Sequence, residues 1–192
     1  MKLEKSSFWV KLITGIIINP KLSLNEVELS LKKEFGPIDN RSSIIPFNFT
    51  QYYEAEMGGN LLRLWLSFEN LIEAEKLSRI KIVAEEIEKY FSRNGNPSDP
   101  SVRSAAGRRT GRQVNLDPGY LTPASLVLAT TKNYAHRIYL GKRIFAEVTL
   151  LYRKGKFVPL DWTYPDYRRP EALDFFRQVR KKYLHQLREK NI

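Results

Sequence analysis

The sequence predicts an α+β fold of the ferredoxin-like kind: a βαββαβ antiparallel sheet with two helices, extended by a short helix, a β-hairpin and a C-terminal helix. Three observations carry that expectation. Short β-branched apolar runs recur along the chain, each bounded by Pro, Gly or Asn. Two stretches with apolar residues at 3–4 spacing separate them. A proline-led amphipathic stretch closes the sequence.

The elements follow in order. Residues 9–18, WVKLITGIII, read as a buried strand ended by Asn19-Pro20. Ser23 caps a helix through Phe35, with Glu26 at the capping-box position and Leu24, Val27, Leu31 and Phe35 on one face. Gly36-Pro37 stops it. SIIPFNF at 43–49 is a second strand, with Pro46 marking an edge or bulge. LLRLWLSF at 61–68 alternates Leu62, Leu64 and Leu66 against Arg63, Trp65 and Ser67. A helix from about Glu73 to Phe91 carries Leu77, Ile80, Ala84, Ile87 and Phe91 on one stripe. Residues 113–116 form a short strand, and Asp117-Pro118-Gly119 reads as a turn. Thr122-Pro123 opens the short helix. Residues 134–140 and 143–152 then flank Gly141-Lys142, a type II′ hairpin turn. Lys154-Gly155-Lys156 turns into a strand at 157–160, and Pro170 starts the last helix.

Composition sets bounds on function. The 192 residues suit one domain, 1–192, with a core at 7–121, a C-terminal extension at 122–192 and a flexible Arg-rich insertion at about 94–112. With no cysteine, disulfides, thiolate metal sites and cysteine nucleophiles are excluded. The N-terminus lacks the pattern of an export signal, because Glu4 and Lys11 interrupt it. No run approaches the ~18 apolar residues of a membrane helix, so a soluble, cytoplasmic protein without a membrane partner is expected. The net charge of +11 raises the prospect of a polyanionic partner. Part of it is local: Arg93, Arg103, Arg108, Arg109 and Arg112 face Asp99 alone within 93–112.

Motifs narrow the chemistry. GRRTGR lacks the Gly-x4-Gly-Lys-Ser/Thr string of a phosphate loop. Only His136 and His185 exist, and no zinc or EF-hand string is present, so no metal ligand or cofactor is assigned. In the hairpin, a Gly141-Lys142 turn would place His136 opposite Glu147. A histidine beside a carboxylate suits acid–base work, and equally suits a structural cross-strand pair. The same register puts Arg137 on the apolar face of Ile144, Ala146 and Val148, which demands an anionic partner. WTYPDYRRP at 162–170 interleaves aromatics and charges; it fits base stacking or a clamp that seats the final helix.

FGPID, PFNFTQYYEAEMG, NLDPGYLTPASLVLATTKNYAHRIYLG, FAEVTLLYRKGKF and WTYPDYR together resemble an uncharacterised prokaryotic family, domain of unknown function 4416. The resemblance spans nearly the whole chain and is most specific from Asn115 to Arg168. It implies a small cytosolic protein and, with no established activity, no catalytic residues. The long 96–111 segment departs from the family's pattern.

The candidate catalytic residues are His136, Glu147 and Asp117. The candidate ligand-binding residues are Tyr120, Lys132, Arg137, Tyr164, Asp166, Tyr167 and Arg168. The expected function is binding, or an enzymatic reaction, of a nucleotide or other phosphorylated small molecule. The alternatives are a non-catalytic RNA-binding module and a structural or interaction protein without a ligand.

Overall fold

The computed structural model describes residues 8–50, 53–93 and 111–191. Apart from Gly111 and Arg112, the Arg-rich insertion lies outside the described residues, as does Tyr52. Among the described residues, nine strands form one sheet with every pairing antiparallel. They are β1 (Trp9–Ile18), β2 (Ile38–Arg41), β3 (Ile45–Pro46), β4 (Leu62–Glu73), β5 (Val114–Leu121), β6 (Ser125–Thr130), β7 (Ile138–Gly141), β8 (Ile144–Arg153) and β9 (Lys156–Pro159). Their order is β2-β4-β1-β5-β6-β8-β7, with β3 also on β4 and β9 also on β8. The helices are α1 (Leu24–Phe35), the single turn α2 (Glu54–Met57), α3 (Leu77–Arg93) and α4 (Pro170–Glu189). No helix among the described residues is long and apolar enough to cross a membrane.

Both faces of the sheet's central strands are covered, which explains why β1 is apolar on both sides. On one face Val27 and Leu31 of α1 and Ile80, Ala84 and Ile87 of α3 pack on Leu12, Ile16, Leu64, Leu66 and Leu116. On the other, Phe175, Phe176 and Val179 of α4 pack on Ile13, Trp65, Leu126, Leu128 and Leu150. Ser23 caps α1 by accepting the Glu26 N–H at 3.5 Å, and Gly36 ends the helix at φ 90°. A buried polar cluster helps fix α4 to the sheet. Lys11 Nζ donates to Asp39 at 2.6 Å and to Gln186 of α4 at 2.8 Å, while Lys182 reaches Asp39 at 3.1 Å.

Several expectations are corrected. The sheet does not stop at four strands: the C-terminal strands continue it. The short helix expected to open at Thr122-Pro123 is instead a tight turn into β6, in which Thr122 Oγ1 accepts the N–H groups of Ala124 and Ser125. The following LVLAT is β-branched and apolar enough to pair between β5 and β8. Asp117-Pro118-Gly119 is no turn; β5 runs through it, with Asp117 opposite Gly15 and Pro118 opposite Thr14. The 43–49 strand shrinks to the two-residue β3, since Pro46 cannot donate to a longer ladder, and β2, a segment not expected as a strand, also pairs with β4. The hairpin turn is Lys142-Arg143, both at positive φ (52° and 62°), with Gly141 opposite Ile144. That is the type I′ pattern, and it gives Ile144 the partner Gly141 in place of Tyr139, two residues from the II′ reading. An irregularity between Tyr139 and Gly141 takes one residue back, so Tyr139 pairs with Phe145, a net slip of one, and His136 sits in a turn ahead of β7.

Candidate functional site

The site originates where two strands part. β5 pairs with β6 only from Gly119↔Leu128 to Leu121↔Leu126. At Pro118 the chain has no N–H to offer. Gly119 makes the last pair because a Cβ there would collide with the Val127 carbonyl oxygen and the Leu128 side chain. Beyond this point β5 stays with β1 and β6 stays with β8. Between them opens a cavity of about 320 Å³, lined by Asn115 and Asp117 of β5 and by Ala129 and Thr130 of β6. The Pro165–Arg168 turn closes it from the α4 face with Asp166 and Tyr167, joined by Tyr164. α3 supplies Lys81, Glu85 and Glu88, and Phe47 and Tyr53 complete the wall.

Its floor is built on a buried arginine. Arg63 of β4, 0% exposed, lies on the α4 face with Trp65. Its guanidinium crosses over Gly15 of β1 to reach β5, and Nη1 donates to Asp117 Oδ2 at 3.0 Å. Nε lies 2.9 Å from Asp166 Oδ2. The rings of Trp65 and Tyr167 flank it, each 4.9 Å from Cζ. Only glycine leaves room at position 15: a Cβ would stand 2.6 Å from Tyr167 Oη and 2.7 Å from Arg63 Nη2. Asn115 Nδ2 donates to the other oxygen of Asp117 at 2.8 Å.

One cation and two carboxylates make an asymmetric arrangement. Burial opposes ionisation of Asp117, but Arg63, Lys81 and Asn115 outweigh it and hold its carboxyl below the usual carboxylate range. Burial dominates at Asp166 and, with Asp117 nearby, raises its pKa despite Arg63. Environments that push two carboxyls apart give one group suited to accept a proton and one suited to give it. On the α3 side, burial likewise raises Glu88, against Lys81 and Arg112; its Oε1 accepts the Leu116 N–H at 2.7 Å. Arg112 spans the rim between Glu56 and Glu88, 3.8 Å from each, and also donates to Asn115.

A second polar group borders the cavity at Glu147. It receives Arg137 Nε at 2.6 Å and lies 3.1 Å from His136 Nε2. Arg137 precedes β7 and is not at the ladder position read in the sequence, yet it has an anionic partner, and its other nitrogens donate to Lys132 O and Tyr164 Oη, each at 2.8 Å. His136 stacks on Trp162 at 4.8 Å and 13°.

The structure gathers some predicted residues and disperses others. Asp117, Lys132, Glu147, Tyr164, Asp166 and Tyr167 all line the cavity. His136 and Arg137 stand behind Glu147. Tyr120 points to the opposite face, packing with the cluster of Leu77 and Val127. Arg168 donates to the carbonyls of Leu160, Asp161 and Thr163 and holds the loop ahead of α4. Arg63, Gly15, Asn115, Lys81 and Glu88 were not foreseen. An arginine inside the apolar run LLRLWLSF was the available signal. Among the described residues, no group of three or more His, Asp or Glu side chains is arranged to hold a metal ion.

No curated protein and no solved structure matches the chain. The model of a family described as Domain of unknown function (DUF4416) matches residues 9–183, nearly the full chain, and the protein belongs to that family.

Proposed function

We propose that this protein binds a nucleotide or another phosphorylated small molecule in the cavity between β5 and β6. The observation that carries the reading is the Asp117–Arg63–Asp166 network, a rigid, buried polar floor opening into a chamber walled by tyrosines. A cavity of this size suits one small metabolite. Carboxylates accept hydrogen bonds, so the floor fits the N–H or O–H groups of a base or sugar. Tyr53 and Tyr164 offer ring surface, while Arg112 and Lys132 supply positive charge for a phosphate. Asp117 and Asp166 are the groups through which a proton would move. Arg112 and Lys132 line the cavity whereas Arg137 and Arg168 stand outside its lining, so phosphate contact falls to the first two.

Coverage of both faces of the central strands disfavours an RNA module that presents bases to the middle of an open sheet. We also read β2-β4-β1-β5, with α1 and α3 on one face, as the split βαβ unit of the ferredoxin-like class; the strand order supports it.

A thermal-shift screen against nucleotides and phosphorylated sugars tests the proposal. Ligand at ~100 times its dissociation constant stabilises by about 2.7 kcal/mol. A shift seen in the wild type and lost in Asp117→Asn supports the reading. No shift across the panel, or equal shifts in both proteins, refutes it.

A further inference from the structure

A second surface, separate from the cavity floor, stands out in the charge distribution. Residues 1–93 carry as many acids as bases, whereas 132–156 holds seven basic residues against Glu147 alone, a net +6 of the chain's +11. Arg137 is neutralised by Glu147. The other six, Lys132, Lys142, Arg143, Arg153, Lys154 and Lys156, are all exposed. Set among the first three are exposed rings: Tyr134 is 65% and Tyr139 59% accessible, and Trp162 is also exposed. These rings share a face. Tyr139 pairs with Phe145, two residues from Glu147 on β8, and His136 meets Glu147 while stacking on Trp162. Tyr134 lies beside His136, ring centroids 6.0 Å apart. β7 is the end strand of the sheet, so its outer edge is unpaired among the described residues, and Ile138, Tyr139 and Leu140 along it are exposed.

Rings interleaved with exposed cations are the requirement for holding a single strand: each base offers a π-face and each linkage a phosphate. A folded acidic protein would use the cations but leave the rings wet. A duplex would hide its bases. We infer that the β7–β8 hairpin face is a binding surface for single-stranded nucleic acid, with Tyr134, Tyr139 and the His136–Trp162 stack as base platforms and Lys142 and Arg143 as phosphate contacts. The surface requires no sequence readout, since stacking and charge tolerate every base. Its residues Tyr134, Tyr139, Lys142 and Arg143 are not part of the cavity lining, so the inference stands independently of the small-molecule proposal.

The turn supplies a clean test. Lys142 and Arg143 both have positive φ, where Asn-Gly is preferred over long side chains. Lys142→Asn/Arg143→Gly therefore removes two charges while favouring the same turn, and loss of binding in it is not loss of fold. Fluorescence polarisation with a labelled oligouridylate of about 12 nucleotides, titrated into the full chain at several salt concentrations, is the measurement. The expected result is single strand bound in preference to duplex. The salt dependence (log K against log salt) should be shallower by about 1.4 in the double variant. Tyr139→Ala and Tyr134→Ala should each weaken binding by about five-fold or more. Unchanged affinity in all these variants overturns the inference. So does binding abolished by Arg103→Gln/Arg108→Gln/Arg109→Gln with the hairpin intact, or tighter binding of polyglutamate than of the oligonucleotide. Asp117→Asn should leave oligonucleotide binding as it was, and the double turn variant should leave the small-ligand thermal shift as it was, so either proposal can fail alone.

Discussion

Gly15→Ala is the smallest change that probes the architecture of the site. The added Cβ would lie 2.6 Å from Tyr167 Oη, 2.7 Å from Arg63 Nη2 and 3.0 Å from Arg63 Cζ. Ordinary carbon contacts fall near 3.5–4.0 Å, so the overlap approaches about 1 Å. Both neighbours are side-chain tips, which elsewhere would swing aside at little cost. Here they are pinned. Arg63 is held by Asp117 and Asp166 and flanked by Trp65, while Tyr167 stacks on Phe176 at 5.8 Å and 1°. Overpacking of this kind costs about 1–3 kcal/mol. In a chain of this size each kcal/mol lowers Tm by about 2–4 °C. Urea unfolding followed by tryptophan fluorescence measures it, with Gly59→Ala as control because nothing lies within 4 Å of that position. The control should be neutral or slightly stabilising, by up to ~1 kcal/mol. A cycle with Arg63→Met assigns the cause: if the guanidinium is what the methyl strikes, the two losses fall short of additivity by ~0.5 kcal/mol or more. Gly15→Ala as stable as Gly59→Ala, or strictly additive with Arg63→Met, would refute the packing described.

Other consequences are as direct. Asp117, whose folded pKa is depressed, contributes stability above its unfolded pKa near 3.9 and loses it as pH falls through the lower folded value. The stability gap between wild type and Asp117→Asn should therefore be full at neutral pH and close in acid; a gap constant across that range in urea titrations would contradict the ion pair. Arg137→Ala leaves Glu147, 3% exposed, without its guanidinium and should cost about 3 kcal/mol, the low end for a broken buried pair because His136 and Thr149 still reach the carboxylate. His136→Ala keeps that pair and should cost less, an order that calorimetric melting would test. Lys11→Ala should cost about 3 kcal/mol, at the low end for a broken buried pair because Lys182 and Ser67 still reach Asp39.

How much of this the sequence displays depends on whether the signal is local. β1, α1 and α4 declare themselves through caps, breakers and periodicity, and the structure places them within a few residues of expectation. The 114–130 stretch misleads because Asp-Pro-Gly is the strongest turn string in the chain, yet here Pro and Gly end a strand pairing rather than a strand. The hairpin register fails for a related reason: Gly141 invites the II′ turn, but a positive φ at Lys142 and Arg143 is set by the ladder and not by their side chains. His136 and Glu147 meet nonetheless, since a turn ahead of β7 brings the imidazole to the carboxylate that Arg137 occupies. Arg63 was hidden by a correct pattern read with one assumption too many. Its alternation with Leu62 and Leu64 is real, but α4 buries the second face as well, and no local string announces a helix that packs from a hundred residues away.

The cavity's role as a ligand site is tested most directly by the crystal structure of the complex with the phosphorylated ligand that gives the largest thermal shift. Ligand density is expected between Asn115–Asp117 and Ala129–Thr130, with ligand donors on Asp117 and Asp166 and the phosphate toward Arg112 and Lys132. Ligand bound on the β7–β8 hairpin or elsewhere on the surface, with the cavity empty, would contradict this reading.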